Sequence, residues 1–244
     1  MTDRTKKYTN KPTILKKFFV SFKYWGVPKT IRYTLMKLFL PIFVYHKKKN
    51  KFNFEGCEFS YFYHTYNNTW DNERCVEAPI FKRYLNEALL NNWRVLEIGN
   101  VLSHYHKRDR SWDILDKFEK ALDVINEDII KYKPRHKYDL IISISTIEHV
   151  GFDDAVEDPT KIIEAIKHIK SLLKKGGKFI FSFPVGYNKT FDNDIFSDIY
   201  GLSKVVYLKR IGYWTWNEAK ISDAKTAVYG APFYAGNVVA ICYL

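Results

Sequence analysis

The chain has 244 residues, 46% of them hydrophobic and 17% aromatic, with only 8 Pro and 11 Gly; this excludes disordered, collagen-like and linker-like chains and supports a full-size core. Three cysteines, Cys57, Cys75 and Cys242, make neither a CxxC pair nor an even set, which excludes a disulfide framework and a four-cysteine zinc site and leads us to expect a reducing compartment. The net charge of +12 is confined to one end: residues 1–51 carry 14 Lys+Arg against a single acid, Asp3, whereas the other 193 residues carry 25 Lys+Arg against 26 Asp+Glu. A near-neutral body disfavours nucleic acid as a partner along the main surface, and any partner chosen by charge meets the N-terminus. The N-terminus lacks the apolar core and small-residue cleavage site of a signal peptide, so a cytoplasmic location is expected.

Residues 1–13 read as a frayed arm rich in Lys, Thr and Asn. From Ile14 to Tyr45, aromatic and aliphatic side chains interleave with Lys and Arg, and KKKNK follows closely. Pro28 offers a helix start; Ile31, Leu35, Leu38 and Phe39 then share a helical face, and Pro41 is expected to kink or end the helix. The longest uncharged apolar stretch, Leu38 to Tyr45, has eight residues. Crossing a bilayer takes roughly 20, so the segment does not span. Three readings stay open for residues 14–51: a cap packed on the body with its lysines in water, an amphipathic segment on an anionic membrane, which would make the protein peripheral on the inner face, or a contact with nucleic acid or another partner.

Residues 52–78 (FNFEGCEFSYFYHTYNNTWDNERCVEA) crowd aromatic and amide side chains ahead of a helix expected from Pro79 to Leu90. Such a segment suits either a ligand-facing wall or a packed cap with internally bonded polar groups. The domain division expected is thus a basic aromatic extension (1–51), an aromatic and amide-rich cap with the first helix (52–91), and a main domain (92–244).

From Asn92 onward, short apolar runs alternate with helix-like or loop segments. Strands are expected at Arg94–Ile98, Trp112–Leu115, Val124–Asn126, Tyr138–Ile144, Lys178–Phe183, Val205–Leu208 and Asn237–Tyr243. The near-continuous Leu/Ile content of YDLIISI fits a central strand buried on both faces. A helix is expected over Pro159–Leu173, stopped by Gly176-Gly177. The alternation predicts an α/β fold with a doubly wound, mostly parallel sheet of seven strands.

Ligands of such sheets sit beyond the carboxyl ends of the strands where strand order reverses. The residues there are Glu97, Gly99, Asp116, Asp128 and the run Ser145-Thr146-Ile147-Glu148-His149. A glycine admits close backbone approach, one carboxylate can take both ribose hydroxyls, and another can receive an exocyclic amine. The first loop, GNVLSHYHKRDR, lacks both GxGxxG and GxxxxGK[ST], so no phosphate cradle is present and NAD and ATP lose ground. A nucleoside cofactor without phosphates remains.

VLEIGN at 95–100, Asp116, NEDI at 126–129, YDLIISISTIEHV at 138–150 and LLKKGGKFIFSFPVG at 172–186 together resemble the class I S-adenosylmethionine-dependent methyltransferases over about residues 92–244. The resemblance implies S-adenosyl-L-methionine as cofactor and a last strand inserted antiparallel, which a chain ending in GNVVAICYL fits. It implies that Glu97 and Gly99, with Asn100 beside them, line the methionine part, that Asp116 binds the ribose, that Asp128 meets the adenine amine with Ile129 against the ring, and that Ser145 and Thr146 close beneath the sulfonium. The loop departs from the family pattern in having Gly99 alone, and the 11 residues between Asp116 and Asp128 leave room for only a vestigial helix.

Methyl transfer needs an acceptor held in line with the methyl group, water excluded, and a proton removed where the acceptor is a hydroxyl. His149 is the candidate base by residue type, with Glu148 beside it; the alternative for His149 is to tie its turn to a neighbouring loop. His104, His106 and Asp109 could hold a metal, but HxH on a loop has no fixed ligand geometry, so a solvated basic turn and no metal are expected. For the acceptor, Tyr66, Asn67, Trp70, Glu73 and Arg74 are the candidate residues, since aromatic faces stack on sugars while amides and charges bond hydroxyls. The expected reaction is O-methylation of a saccharide or lipid-linked glycan, with a soluble metabolite as alternative acceptor. The alternative outside catalysis is an interaction protein with a degenerate fold.

Overall fold

The computed structural model describes residues 31, 34–35, 38–42, 44–45, 49–154, 156–212 and 215–244. The expected frayed arm, the segment 14–30 and the helix start at Pro28 lie outside the described residues. The chain forms two compact units, 1–49 and 50–244. In the first unit, every described residue from Ile31 to Tyr45 is helical, including Pro41, Ile42, Val44 and Tyr45, so Pro41 does not end the helix. Ile31, Leu35, Leu38, Phe39, Ile42 and Tyr45 are exposed. Among the described residues no helix is long and apolar enough to cross a membrane.

The second unit opens with a hairpin of β1 (Lys51–Phe54) and β2 (Cys57–Ser60). Its two-residue turn, Glu55-Gly56, has positive φ at both positions (52° and 71°), the geometry that matches strand twist in tight hairpins. After a short 3-10 turn at Tyr66–Asp71, helix α1 runs from Arg74 to Leu90. It starts five residues before the expected Pro79, which lies inside it. Proline there removes the N–H that would bond the carbonyl of Cys75. That carbonyl accepts instead from Phe62 N at 2.9 Å, so the missing helix bond becomes a tether for the preceding segment.

The main sheet has strands β3 (Val95–Ile98), β4 (Trp112–Leu115), β5 (Val124–Ile125), β6 (Tyr138–Ile144), β7 (Leu173–Pro184), β8 (Lys204–Gly212), β9 (Thr215–Ala219) and β10 (Val238–Tyr243). Their order is β5-β4-β3-β6-β7-β10-β8-β9. The pairs from β5 through β7 are parallel, while β10 lies antiparallel between β7 and β8. The sheet therefore has the mostly parallel α/β form with the inserted last strand that was expected. It holds eight strands, not seven: β9 folds back on β8 and buries Trp216.

Alternation along the strands feeds two cores. On one face Tyr138, Ile141, Phe179, Phe181, Ala240 and their neighbours pack with helices α2 (Lys161–Leu172), α3 (Lys189–Phe196) and α4 (Ile221–Lys225). On the other face Leu140, Ile142, Ile144, Val239 and Ile241 pack with α1 and with Phe52 and Phe54 of the hairpin. Helices thus cover both faces, but no helix joins β4 to β5. Helix α2 ends at Leu172, before the two glycines. Gly176-Gly177 instead lies in a bulge of β7, where a Cβ on Gly177 would come within 2.9 Å of the Tyr138 carbonyl.

Candidate active site

Strand order reverses between β3 and β6, because β4 and β5 are added on one side of β3 and β6 on the other. The crevice at the carboxyl ends of these two strands is where a doubly wound sheet binds its ligand. Glu97 and Gly99 stand at the end of β3, and Ser145 and Thr146 at the end of β6. Glu97 is fully buried. Its Oε1 accepts from Val101 N (3.0 Å) and Leu102 N (2.7 Å), pinning the first loop, whereas Oε2 is buried and has a loose contact with the Trp112 indole that falls short of a well-formed hydrogen bond. Burial raises the Glu97 carboxyl to about 8 against the pull of those two amides.

Gly99 has φ +86° and packs under Thr146, so that a Cβ there would lie 2.2 Å from Thr146 Oγ1. Only a residue without a Cβ allows the two strand-end loops to approach this closely. Thr146 Oγ1 is held by the Ile144 carbonyl at 3.0 Å. Ser145 sits at φ +39°, a conformation a non-glycine residue adopts at a cost. Two contacts hold it there: its N–H donates to Ser182 O (2.9 Å) and its Oγ to Glu77 Oε1 (2.6 Å).

Asp116 follows β4. Its Oδ1 accepts from Phe118 N (2.8 Å) and Glu119 N (2.7 Å), and its Oδ2 lies 3.3 Å from Asn100 N. Asn100 also donates to Glu119 Oε1 at 3.0 Å, so the first loop and the Asp116 loop are tied together. Asp128 is placed differently from the expectation of a carboxylate available to an adenine amine. Its Oδ2 is 3.1 Å from Lys117 Nζ and 3.4 Å from Lys161 Nζ. Partial burial opposes ionisation, but these lysines and the Ile130 amide hold its carboxyl below the usual range. Ile129 is buried in the core beside Leu115 and Ile141.

The residues singled out for the acceptor divide into three places. Tyr66 and Asn67 are exposed; the Tyr66 ring stacks on His104 with centroids 4.1 Å apart. Asn67 begins a left-handed pair with Asn68, and its carbonyl accepts from Asn72 Nδ2. Trp70 is buried. Glu73 and Arg74, by contrast, are buried at the start of α1. Arg74 Nη1 donates to Glu77 Oε2 (3.1 Å) and to the Ile144 carbonyl (3.0 Å), Ser182 Oγ adds a bond to Glu77 Oε1 (2.7 Å), and Glu73 Oε2 accepts from Gly236 N (2.8 Å). One side-chain network thereby joins α1 to the ends of β6 and β7 and to the residue before Asn237.

Glu148 and His149 form a 3-10 turn directly after Thr146. Glu148 is fully buried and neither carboxyl oxygen has a hydrogen-bond partner; burial, then the nearby Glu77 and Glu73, keep its carboxyl well above the usual range despite Arg74. Asn188 holds the turn by donating from Nδ2 to the Glu148 carbonyl (2.9 Å), while its Oδ1 caps α3. The half-exposed His149 places Nδ1 2.6 Å from Asp153 Oδ2 and Nε2 3.6 Å from Glu148 Oε1. The Asp153 bond assigns the ring proton to Nδ1, leaving Nε2 as the basic nitrogen facing Glu148. Tyr187 OH donates to the same Asp153 carboxylate at 3.0 Å.

His104, His106 and Asp109 do not converge. His104 meets Glu119 at 3.1 Å, His106 is held to about 4 by burial and by Lys82, and Asp109 accepts from Ser111. No cluster able to hold a metal ion occurs among the described residues. Sequence reading assigned no site role to Ser182, Asp153 and Tyr187. Asp153 carried a local signal, since it lies four residues after His149, but Ser182 and Tyr187 reach the site only through tertiary packing.

No protein-family model matches the sequence, and no curated protein matches it. Among solved structures the chain is similar to the N-methyltransferase NodS from Bradyrhizobium japonicum in complex with S-adenosyl-L-homocysteine: TM-score 0.40, 13% identity, covering 70% of this chain and 89% of that one. It is similar also to an S-adenosylmethionine-dependent methyltransferase from Clostridium acetobutylicum (TM-score 0.36, 13% identity, 66% and 89% covered). A third is the sugar N-methyltransferase KedS8 from Streptoalloteichus (TM-score 0.35, 13% identity, 57% and 56% covered). The sheet order of this chain, with its last strand reversed between β7 and β8, is the arrangement that the resemblance to class I methyltransferases implied.

Proposed function

We propose that the chain is an S-adenosyl-L-methionine-dependent methyltransferase. The observation that carries this reading is the pair Glu97 and Gly99 at the switch point: a buried carboxyl oxygen in loose contact with the Trp112 indole beside a backbone position that a Cβ would close. A ligand with an ammonium group satisfies that oxygen, and the lack of a phosphate-binding glycine loop fits a nucleoside cofactor. When bound, S-adenosyl-L-methionine supplies a methyl group activated on a sulfonium. Glu97 and Gly99 would hold its amino-acid end and Asp116 its ribose. Asp128 would meet the adenine amine only in competition with Lys117 and Lys161. Ser145 and Thr146, fixed by Glu77, Ser182 and the Ile144 carbonyl, form the floor against which the acceptor is aligned.

The acceptor read from the sequence is a saccharide or lipid-linked glycan, and the segment 31–45 supports a membrane setting. Its exposed residues Ile31, Leu35, Leu38, Ile42 and Tyr45 recur at intervals of four and three, one stripe of a helix, within the part of the chain that carries all the net positive charge. Flotation with phosphatidylserine vesicles tests this: the full chain should float, and a Leu35→Glu, Leu38→Glu, Ile42→Glu variant should not. Ultraviolet cross-linking of methyl-labelled S-adenosyl-L-methionine tests the cofactor site. Label should fall in peptides spanning 95–103 or 144–150; label elsewhere, or none, would count against the reading.

A further inference from the structure

Three carboxyl groups share the buried start of α1 and the turn after β6 with one guanidinium. Glu73, Glu77, Glu148 and Arg74 are each less than one-tenth exposed. Glu77 is fully employed by Arg74, Ser145 and Ser182, and Glu73 has the Gly236 amide. Glu148 is the least supported: neither buried oxygen makes a side-chain hydrogen bond, Oε1 lies 3.6 Å from His149 Nε2, its own backbone amide gives it a weak contact, and the bond that secures its turn uses its main-chain carbonyl. One arginine cannot neutralise three carboxylates, and an unpaired buried polar group costs about 1–3 kcal/mol. The side chain therefore serves no evident packing purpose. Beside it, Tyr187 and Tyr229 meet edge to face with centroids 5.2 Å apart, and both feel the Glu148 charge. Acids next to tyrosine rings are the surroundings that receive an ammonium group.

We infer that the acceptor atom is an amine nitrogen and not the hydroxyl read from the sequence, with its ammonium received by Glu148 and Glu73 beside the Tyr187–Tyr229 pair. This rests on the methyltransferase reading and names the acceptor class of the same site. An alcohol brings no charge and leaves both acids uncompensated, so the site discriminates by what it fails to satisfy. Arrival of the ammonium displaces the Glu148 proton to solvent along the half-exposed His149 side, whose Nε2 lies 3.6 Å from Glu148 Oε1. The Glu148 carboxylate then takes one proton from the ammonium, which frees the nitrogen lone pair. The N–C bond forms as the S–C bond breaks, with the bonding pair left on sulfur, and the product departs as a methylammonium. Glu148 keeps the proton it took, which restores its starting state, so one proton reaches solvent per transfer. Asp153 orients His149 and is a positioning residue.

The test is calorimetric titration of full-length protein saturated with S-adenosyl-L-homocysteine, using two matched pairs: glucosamine and glucose, ethanolamine and ethylene glycol. At least one amine should bind tenfold or more tightly than its alcohol. Glu148→Gln should abolish that preference while retaining affinity for S-adenosyl-L-homocysteine within twofold, and Glu73→Gln, which keeps an acceptor for the Gly236 amide, should weaken the preference. Equal binding of amine and alcohol, binding of neither amine, or an unchanged preference in Glu148→Gln overturns the amine assignment while the methyltransferase reading stands. Failure of the folded wild type to bind S-adenosyl-L-homocysteine removes both.

Discussion

Gly99→Ala perturbs the point on which the cofactor crevice depends. At φ +86° an alanine pays about 1–2 kcal/mol in backbone strain alone. Its Cβ would also lie 2.2, 2.7 and 2.9 Å from Oγ1, Cγ2 and Cβ of Thr146. Rotating Thr146 relieves the first two contacts but breaks its bond to the Ile144 carbonyl, worth about 1 kcal/mol. The third contact needs a backbone shift, and overpacking of this kind costs about 1–3 kcal/mol. The expected loss of unfolding free energy is about 3–6 kcal/mol, measured by urea denaturation, with affinity for S-adenosyl-L-homocysteine falling at least tenfold. Thr146→Ala removes two of the three clashing atoms, so the double variant should be more stable than additivity predicts by about 1–2 kcal/mol. A Gly99→Ala protein within about 0.5 kcal/mol of wild type, or strictly additive effects, would refute the proposed contact.

Arg74→Met removes the one cation among Glu73, Glu77 and Glu148 and should cost about 3–5 kcal/mol in urea denaturation; the loss should be larger at pH 8 than at pH 5, because the stranded acids tolerate burial only when protonated. Glu97 has its folded-state carboxyl raised to about 8, so its contribution to stability is complete below about pH 4.5 and is lost as pH rises through 8, by at most about 5 kcal/mol. Glu97→Gln should flatten the ligand-free stability profile between pH 5 and 8, and an unchanged slope would contradict the raised value. Pro79→Ala restores an N–H that competes with Phe62 for the Cys75 carbonyl, so the change in unfolding free energy should stay within about 1 kcal/mol.

The strands that carry the crevice were legible because their chemistry is local. Trp112–Leu115 and Tyr138–Ile144 occupy the expected residues, since short, mainly apolar runs followed by Asp or Ser admit few alternatives in a sheet buried on both faces. The hairpin β1–β2 has a local signal, since KFNF-EG-CEFS alternates and its Glu55-Gly56 turn suits tight pairing, but its aromatic density suits a ligand-facing wall equally well. Strand β9 was missed because its one fully buried anchor, Trp216, gives no periodic signal over five residues. Pro79 misled because proline favours the first turn of a helix, and only the distant Phe62 amide makes an interior position tolerable.

The site shows the same division between local and tertiary information. Glu97, Gly99 and Asp116 lie at strand ends that the sequence locates, and the structure places them at the carboxyl ends of the neighbouring strands β3 and β4. The engagement of Asp128 by Lys117 and Lys161 could not be read, since Lys161 belongs to α2, beyond the next strand. Nor could the convergence of Glu77, Ser145 and Ser182, which are 68 and 105 residues apart from one another in the two bonds to Glu77. Trp70 illustrates the reverse error: an aromatic residue assigned to a sugar face is packed inside the protein.

Calorimetric titration with S-adenosyl-L-homocysteine, comparing wild type with Asp116→Asn, tests the central claim most directly. Asparagine retains an acceptor for the Phe118 and Glu119 amides while removing the charge offered to the ribose. The account predicts saturable one-to-one binding by the wild type and a loss of about tenfold or more in the variant, which corresponds to about 1.4 kcal/mol. Absence of binding by folded wild-type protein, or equal binding by both, would contradict it.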